Sequence, residues 1–149
     1  MNRRFEKPPI AGQRYRPRPG AYAVLMRGGQ VLLTHQSTPL PEYQLPGGGV
    51  ESGEQMIAAL HREILEETGW KVGRLRKLGM FRRFTYMPEY DLWAEKLCHI
   101  YFGRPSLQVD APSEYGHSAV WMAPEPALEN VGNDGDRWFL SKAINSVER

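Results

Sequence analysis

At 149 residues, 41% of them hydrophobic and 24% charged, the chain has the length of one globular domain, enough to bury about two thirds of the surface its unfolded form would expose. No apolar run reaches eighteen residues and no charged-then-apolar leader is present, so neither a membrane span nor secretion is expected, and the cytoplasm is the expected location. A single cysteine excludes an intrachain disulfide, and four scattered histidines give no zinc-type ligand spacing.

The formal charge of +2 is unevenly spread: residues 1 to 20 carry +5 from Arg3, Arg4, Lys7, Arg14, Arg16 and Arg18 against Glu6, leaving −3 for the rest. Residues 1–19, which also hold Pro8, Pro9, Pro17 and Pro19, are therefore expected to form a basic arm ahead of a mildly acidic domain at 20–149. Such an arm is most simply a solvated terminus, or else a contact for polyphosphate, RNA or a partner subunit. Removing it should leave the remaining domain intact.

Ala21 to Met26 and Val31 to His35 read as strands joined through Arg27-Gly28-Gly29-Gln30, the Gly-Gly pair favouring a tight hairpin turn. A Pro-containing loop leads to a short Tyr43 to Leu45 segment and then to Gly47-Gly48-Gly49, which allows a sharp turn and close backbone approach. Ser52 is placed to cap a helix, with Gln55 answering it as in a capping box. The helix runs to Thr68, and Gly69 supplies the positive φ that ends it. Ile57, Leu60 and Ile64 form its apolar stripe, with Glu63, Glu66 and Glu67 on an adjoining face. Further strands are expected at Lys71 to Leu78, Gly79 to Tyr86, Lys96 to Gly103 and Ala119 to Met122. A last helix, capped by Asp134 or Asp136, should run through Val147 on a Leu140, Ile144, Val147 stripe. Cys98 and His99 fall in a strand, where a structural thiol is the expectation. The order is that of an α/β domain without internal repeats.

The segment Gly48 to Trp70 carries the chemistry. It reads Gly48, five residues, Glu54, seven residues, Arg62-Glu63-Ile64, one residue, Glu66-Glu67, one residue, Gly69-Trp70. Glutamates at i, i+3 and i+4 repel one another on a helix surface, and a cation removes that cost. Oxygen-only ligands select a hard ion; Mg²⁺ takes few carboxylates, several waters and substrate phosphate oxygens. An ordinary solvated helix face would explain REILEE alone, but not the upstream Leu45-Pro46-Gly47-Gly48-Gly49 and Glu54.

This pattern resembles the Nudix box, with Trp70 standing where the family usually has an aliphatic residue. A chance match of its seven fixed positions is on the order of 10⁻⁸ per starting point. The resemblance covers about residues 20 to 147 and implies an α/β/α sandwich around a mixed sheet. It also implies Mg²⁺-dependent hydrolysis of a nucleoside diphosphate linked to another group X, with Mn²⁺ as substitute. On it, Glu66 and Glu67 hold metal, Glu63 binds metal or acts as base, and a carbonyl of Gly47 or Gly48 is a further ligand. Arg62 orients the glutamates, and Glu54 acts through Arg62 or a metal water. Many relatives carry an acid where Glu114 stands, making it a candidate to touch metal or its water, with His117 a weaker one. Tyr86, sixteen positions past the box, resembles the pattern of dinucleoside polyphosphate hydrolases. Nucleoside triphosphates, deoxynucleoside triphosphates, ADP-ribose and an RNA 5′ end stay open as substrates. The aromatics Phe84 to Tyr86 and Tyr90 to Trp93 can stack on a base or serve as sheet residues. A non-hydrolytic nucleotide or RNA sensor, or an isoprenoid diphosphate isomerase, is the other functional class such a domain can serve.

Overall fold

The computed structural model describes residues 3–5, 7–37, 40–113 and 116–147. Its centre is β2 (Arg16–Arg27), a strand whose alternate residues enter two separate cores. Ala21, Ala23 and Leu25 pack with Leu60 and Ile64 of α1 (Met56–Thr68), while Val24 and Met26 pack with Phe139, Leu140, Ala143 and Ile144 of α3 (Asp134–Val147). A strand covered on both faces reads as a continuous apolar run because both faces must be apolar. The result is the expected α/β/α sandwich.

Around β2 the sheet runs β1 (Arg3–Arg4), β7 (Arg76–Met87), β8 (Leu92–Gly103), β2, β3 (Gln30–Gln36), β10 (His117–Met122). β4 (Glu42–Gln44) pairs with β3, and β5 (Gly47–Gly49) pairs with β2. The sheet is mixed: β1–β7 and β2–β8 are parallel, and the other pairs antiparallel. β6 (Trp70–Val72) and β9 (Pro105–Gln108) form a separate two-stranded ribbon. The β2–β3 hairpin turns on Gly28 and Gly29, at φ 59° and 76°, the positive values a tight two-residue turn demands.

Several expectations are corrected. Among the described residues of the segment expected as an arm, β1 pairs with Phe81 and Arg82, Phe5 packs edge-on to Phe81 with ring centroids 5.5 Å apart, and residues 16–19 pair with Ala94 to Leu97 of β8. The helix begins at Met56, with Gln55 at the cap position and no side-chain cap bond. Ser52 is displaced from that role because Glu51 and Glu54 close a turn on each other: the Glu54 amide donates to the Glu51 carbonyl (3.0 Å), and the Glu51 amide to Glu54 Oε1 (2.9 Å). Ile57 and Val147 leave their stripes, standing 46% and 55% exposed. The strand expected at Lys71 to Leu78 divides at Gly73, whose amide donates to the Arg104 carbonyl. A short helix, α2 (Pro124–Asn130), precedes α3, and Pro124 sits in its first turn, where a missing N–H costs nothing.

Candidate active site

α1 is the element that aims the glutamates. Its C-terminus is fixed by Gly69 at φ 77°, whose amide donates to the Leu65 carbonyl; a Cβ there would lie 1.9 Å from the Asp110 carbonyl oxygen. The last turn also holds the following loop, since the Ser113 amide donates to the Glu66 carbonyl (2.8 Å) and those of Val109 and Asp110 to the Gly69 carbonyl.

Glu67 points inward and is 1% exposed. Its Oε2 accepts the Gly47 amide at 3.2 Å, and its Oε1 lies 3.5 Å from Nδ1 of His117 on β10. Glu63, one turn earlier, lies against Gly48, where an added Cβ would come within 2.8 to 3.0 Å of the carboxyl group. The glycine run is therefore a requirement of the carboxylates as much as of the turn. Gly47, at φ 146°, would in turn drive a Cβ to 2.1 Å from the Ala21 carbonyl oxygen.

Gly48 stands in register with Ala21, flanked by the Ala23 amide to Pro46 carbonyl and Val50 amide to Pro19 carbonyl bonds. In an antiparallel ladder this alternation turns the peptide groups of Gly48 toward β2 and those of Gly47 away from it. The Gly47 amide accordingly reaches Glu67. Of the two carbonyls expected to offer a metal ligand, Gly47 has the more suitable placement and Gly48 the less.

The Glu66 carboxylate turns to Arg62 Nη1 (3.4 Å), which also reaches Glu63 Oε1 (3.3 Å). The rest of that guanidinium forks onto Glu54, with Nη2 3.0 Å and 3.2 Å from its two oxygens and Nε 3.3 Å from one. The Glu51 amide and then Arg62 hold the Glu54 carboxyl below the usual carboxylate range, and Glu54 in turn raises Arg62. Arg62 thus ties three carboxylates together from the side and restricts how Glu63 can turn. Glu114 lies outside the described residues; its neighbour Ser113 is anchored to α1 as above.

Glu63, Glu67, His117 and the three glycines line a cavity of about 300 Å³. The donor set here is carboxylate and carbonyl oxygen, which fits a hard divalent cation. Among the described residues no three His, Cys, Asp or Glu side chains form a metal cage. Mg²⁺ sites of few carboxylates completed by water and substrate phosphate have this character.

The cavity wall also includes Arg18, from the segment expected as a basic arm, and residues the sequence did not single out as a site, among them Tyr22, Arg83, Lys96, Asn133 and Asp136. Asp136, expected as a cap, is instead buried in the wall, and Asn133 caps α3 by accepting the Asp136 amide at 2.8 Å. Asp136 Oδ2 accepts the Leu45 amide at 3.4 Å, so α3 steadies one end of the turn whose other end Glu67 holds. Burial pushes the Asp136 carboxyl up to about 6, against the Leu45 amide, Arg83 and Lys96. The signal in the sequence was Asn133, three residues ahead of Asp136. The Tyr86 hydroxyl donates to Asp91 and its ring packs on Trp93 with centroids 5.1 Å apart; of the aromatics expected to stack on a base, Tyr90 lines the cavity. Cys98 is buried as expected, its thiol pushed up to about 12 by desolvation.

The NUDIX domain family model matches residues 15–142. A protein named as a candidate 8-oxo-dGTP diphosphatase in Bacillus subtilis (strain 168) is 35% identical over 74 residues, covering 50% of each chain. The NAD-capped RNA hydrolase NudC of Pasteurella multocida (strain Pm70) is 42% identical over 62 residues, 41% of this chain and 24% of that one. The RNA pyrophosphohydrolase of Dinoroseobacter shibae is 36% identical over 83 residues, 54% of this chain and 50% of its own. The chain thus spans half or less of the length of these curated relatives. Among solved structures, a NUDIX hydrolase from Nitrosomonas europaea superposes with a TM-score of 0.72 at 18% identity, covering 90% of this chain and 92% of the other. A MutT protein from Bacillus halodurans gives 0.70 at 21% identity, covering 85% and 82%. Both share the fold.

Proposed function

The chain belongs to the Nudix family, and from that membership we propose that it is a divalent-metal-dependent pyrophosphohydrolase, cleaving a phosphoanhydride bond of a nucleotide in the cavity beside Glu63 and Glu67. The observation that carries this reading is the buried Glu67 carboxylate, held on the Gly47 amide at the wall of the cavity. A carboxylate withdrawn from water is costly unless a positive charge or several donors answer it.

Glu67, Glu63 and the Gly47 carbonyl would hold Mg²⁺ or Mn²⁺, with Glu66 held back by Arg62. Such an ion supplies charge neutralisation on the phosphates and a lowered pKa for attacking water. Glu63, steadied through Arg62 and Glu54, is the leading base, and Glu114 is the second candidate, following the anchored Ser113. The substrate is taken as a nucleotide of the wider class, a nucleoside polyphosphate or an RNA 5′ end, in keeping with the names of the relatives. The lean toward dinucleoside polyphosphates rested on Tyr86, and its tie to Asp91 and Trp93 withdraws that support. An isomerase would want a reactive thiolate, which the buried Cys98 does not offer.

Phosphate release from nucleotides after coupled phosphatase treatment tests the proposal. Activity should vanish with EDTA and return with Mg²⁺ or Mn²⁺. Glu67→Gln should lower kcat by about a hundredfold or more, about 3 kcal/mol of transition-state stabilisation, with the fold retained. Turnover near normal in that variant would remove Glu67 from the metal site. Glu114→Gln should lower kcat more than it raises KM. Ordinary kinetics there would leave Glu63 as the base.

A further inference from the structure

One wall of the cavity is built on a projection. Beyond Thr85 and Ala94 the strands of the β7–β8 hairpin pair only with each other among the described residues, since β2 joins β8 from Ala94 onward and β1 meets β7 at Phe81 and Arg82. A two-stranded ribbon is marginal in water unless something packs on one of its faces. The end of this one nevertheless lines the cavity, through Met87, Glu89 and Tyr90.

Support comes from the opposite face. Side chains alternate across a strand, so Met87 shares the cavity face with Arg83, while Phe84 and Tyr86 lie on the other face with Trp93, the partner of Tyr86. There Tyr15, in the segment leading into β2, stands edge-on to Phe84 with ring centroids 4.9 Å apart and to Trp93 at 6.1 Å, and Trp93 carries Tyr86 at 5.1 Å. Tyr15 is itself held, its hydroxyl accepting the Ile10 amide at 3.1 Å. The Tyr86 hydroxyl donates to Asp91, which stands at φ 46° and is the one non-glycine residue in the left-handed region among the described residues. Such a backbone persists only where its surroundings fix it. The aromatic pile thus runs from Tyr15 to the turn Pro88–Tyr90 that meets the cavity, where Arg18 lies 5.1 Å from the Tyr90 centroid.

We propose that Tyr15 is a positioning residue for substrate binding: without touching the substrate, it seats the hairpin end that Met87, Glu89 and Tyr90 present to a nucleotide in the cavity. Aromatic pairs of this geometry contribute beyond their buried area, and a wall already in place spares the ligand the cost of ordering it. The effect falls on affinity, because Glu67 and residues 45 to 47 are held by α1, α3 and β2 without the hairpin end. The identity of the ligand rests on the pyrophosphohydrolase reading.

The test measures kcat and KM with Mg²⁺ for the nucleotide best hydrolysed among ATP, dGTP, ADP-ribose and diadenosine tetraphosphate, alongside backbone amide exchange by mass spectrometry. The chains compared are wild type, Tyr15→Ala, Tyr15→Phe and Trp93→Leu. Tyr15→Ala should raise KM about threefold to tenfold, with kcat within about twofold of wild type. It should also speed exchange at residues 86 to 93 by about tenfold or more while α1 and α3 stay as they were. Trp93→Leu breaks the pile from the hairpin side and should do the same, whereas Tyr15→Phe keeps the ring and should keep both KM and the slow exchange. An unmoved KM in Tyr15→Ala, a loss carried by kcat, or faster exchange spread over α1 and α3 would overturn the assignment, the last by making Tyr15 a residue of general stability. If no nucleotide is hydrolysed, the pyrophosphohydrolase reading fails, and exchange at residues 86 to 93 decides separately whether Tyr15 seats the hairpin end.

Discussion

Arg62 shows how much one exposed side chain can organise. Its ion pairs with Glu54 and Glu66 are open to water, where such pairs contribute little to stability. Its effect is on orientation: the planar fork takes both Glu54 oxygens and leaves one nitrogen for Glu63 and Glu66, an arrangement an ammonium cannot copy. Arg62→Lys should therefore lower kcat by about tenfold to a hundredfold, as groups that orient metal ligands do, while the thermal midpoint moves by about a degree or less. A large fall in the midpoint would make Arg62 a stabilising residue instead. Asp136 behaves oppositely. Its folded carboxyl is raised from 3.8 to about 6, chiefly by burial, so the fold favours the protonated acid. The contribution of this group is full below pH 3.8, is lost as pH rises through 6, and leaves a cost of about 3 kcal/mol above that. In urea unfolding at pH 4 to 8, Asp136→Asn should gain on wild type as pH rises across that window, and a gap independent of pH would refute the shift. The glutamates were legible because helical spacing alone brings them near each other. Asp136, Arg83 and Lys96 were not, because cross-strand register and the seating of α3 assemble their wall from distant segments.

At the scale of elements, periodicity located α1 and α3 well, and their boundaries less so. Gly69 was readable as a helix end because a positive φ has one cheap solution, and the structure adds the close Asp110 carbonyl behind it. Gly69→Ala should cost about 2 kcal/mol or more, from the left-handed backbone together with the clash, measured by denaturant unfolding. The start of α1 misled because Ser52 fits a capping pattern, yet the Glu51–Glu54 turn uses the amides that a cap would have served. Ser52→Ala should accordingly be nearly neutral. Gln55→Ser supplies the missing cap oxygen, since Gln55 already has the extended backbone of a cap residue, and should stabilise by about 0.5 to 1 kcal/mol. The N-terminal segment misled through composition: arginine and proline are also compatible with a strand whose pairing partner, β8, follows about eighty residues later. A chain beginning at Gly20 would lack β1, the Phe5 contact and the first four residues of β2, so its thermal midpoint should drop by several degrees; an unchanged midpoint would show these pairings to be dispensable.

For the molecule as a whole, the two cores and the site are coupled through one turn. Residues 45 to 47 are held by α3 through Asp136 on one side and by α1 through Glu67 on the other, and β5 then pairs directly to the central strand. The pattern of strands and helices read as an α/β domain and the sandwich came from the Nudix resemblance, but this convergence is a tertiary fact that no local pattern encodes. It has a thermodynamic consequence. A cation bound by Glu63, Glu67 and the Gly47 carbonyl would bridge α1 to that turn, and a ligand that binds only the folded chain stabilises it by RT ln(1 + [L]/Kd). At a hundredfold excess over Kd that is about 2.7 kcal/mol, a rise in midpoint of several degrees for a domain of this size. Mn²⁺ without nucleotide should raise the thermal midpoint of the wild-type chain in a saturable way, and EDTA should reverse it. Glu67→Gln should abolish most of the rise, whereas Glu66→Gln should keep it, because the Glu66 carboxylate is turned to Arg62. Loss of the rise in Glu66→Gln as well would show that metal binding draws Glu66 off Arg62 and into the site, and an equal rise in all three chains would locate the stabilising cation elsewhere on the surface.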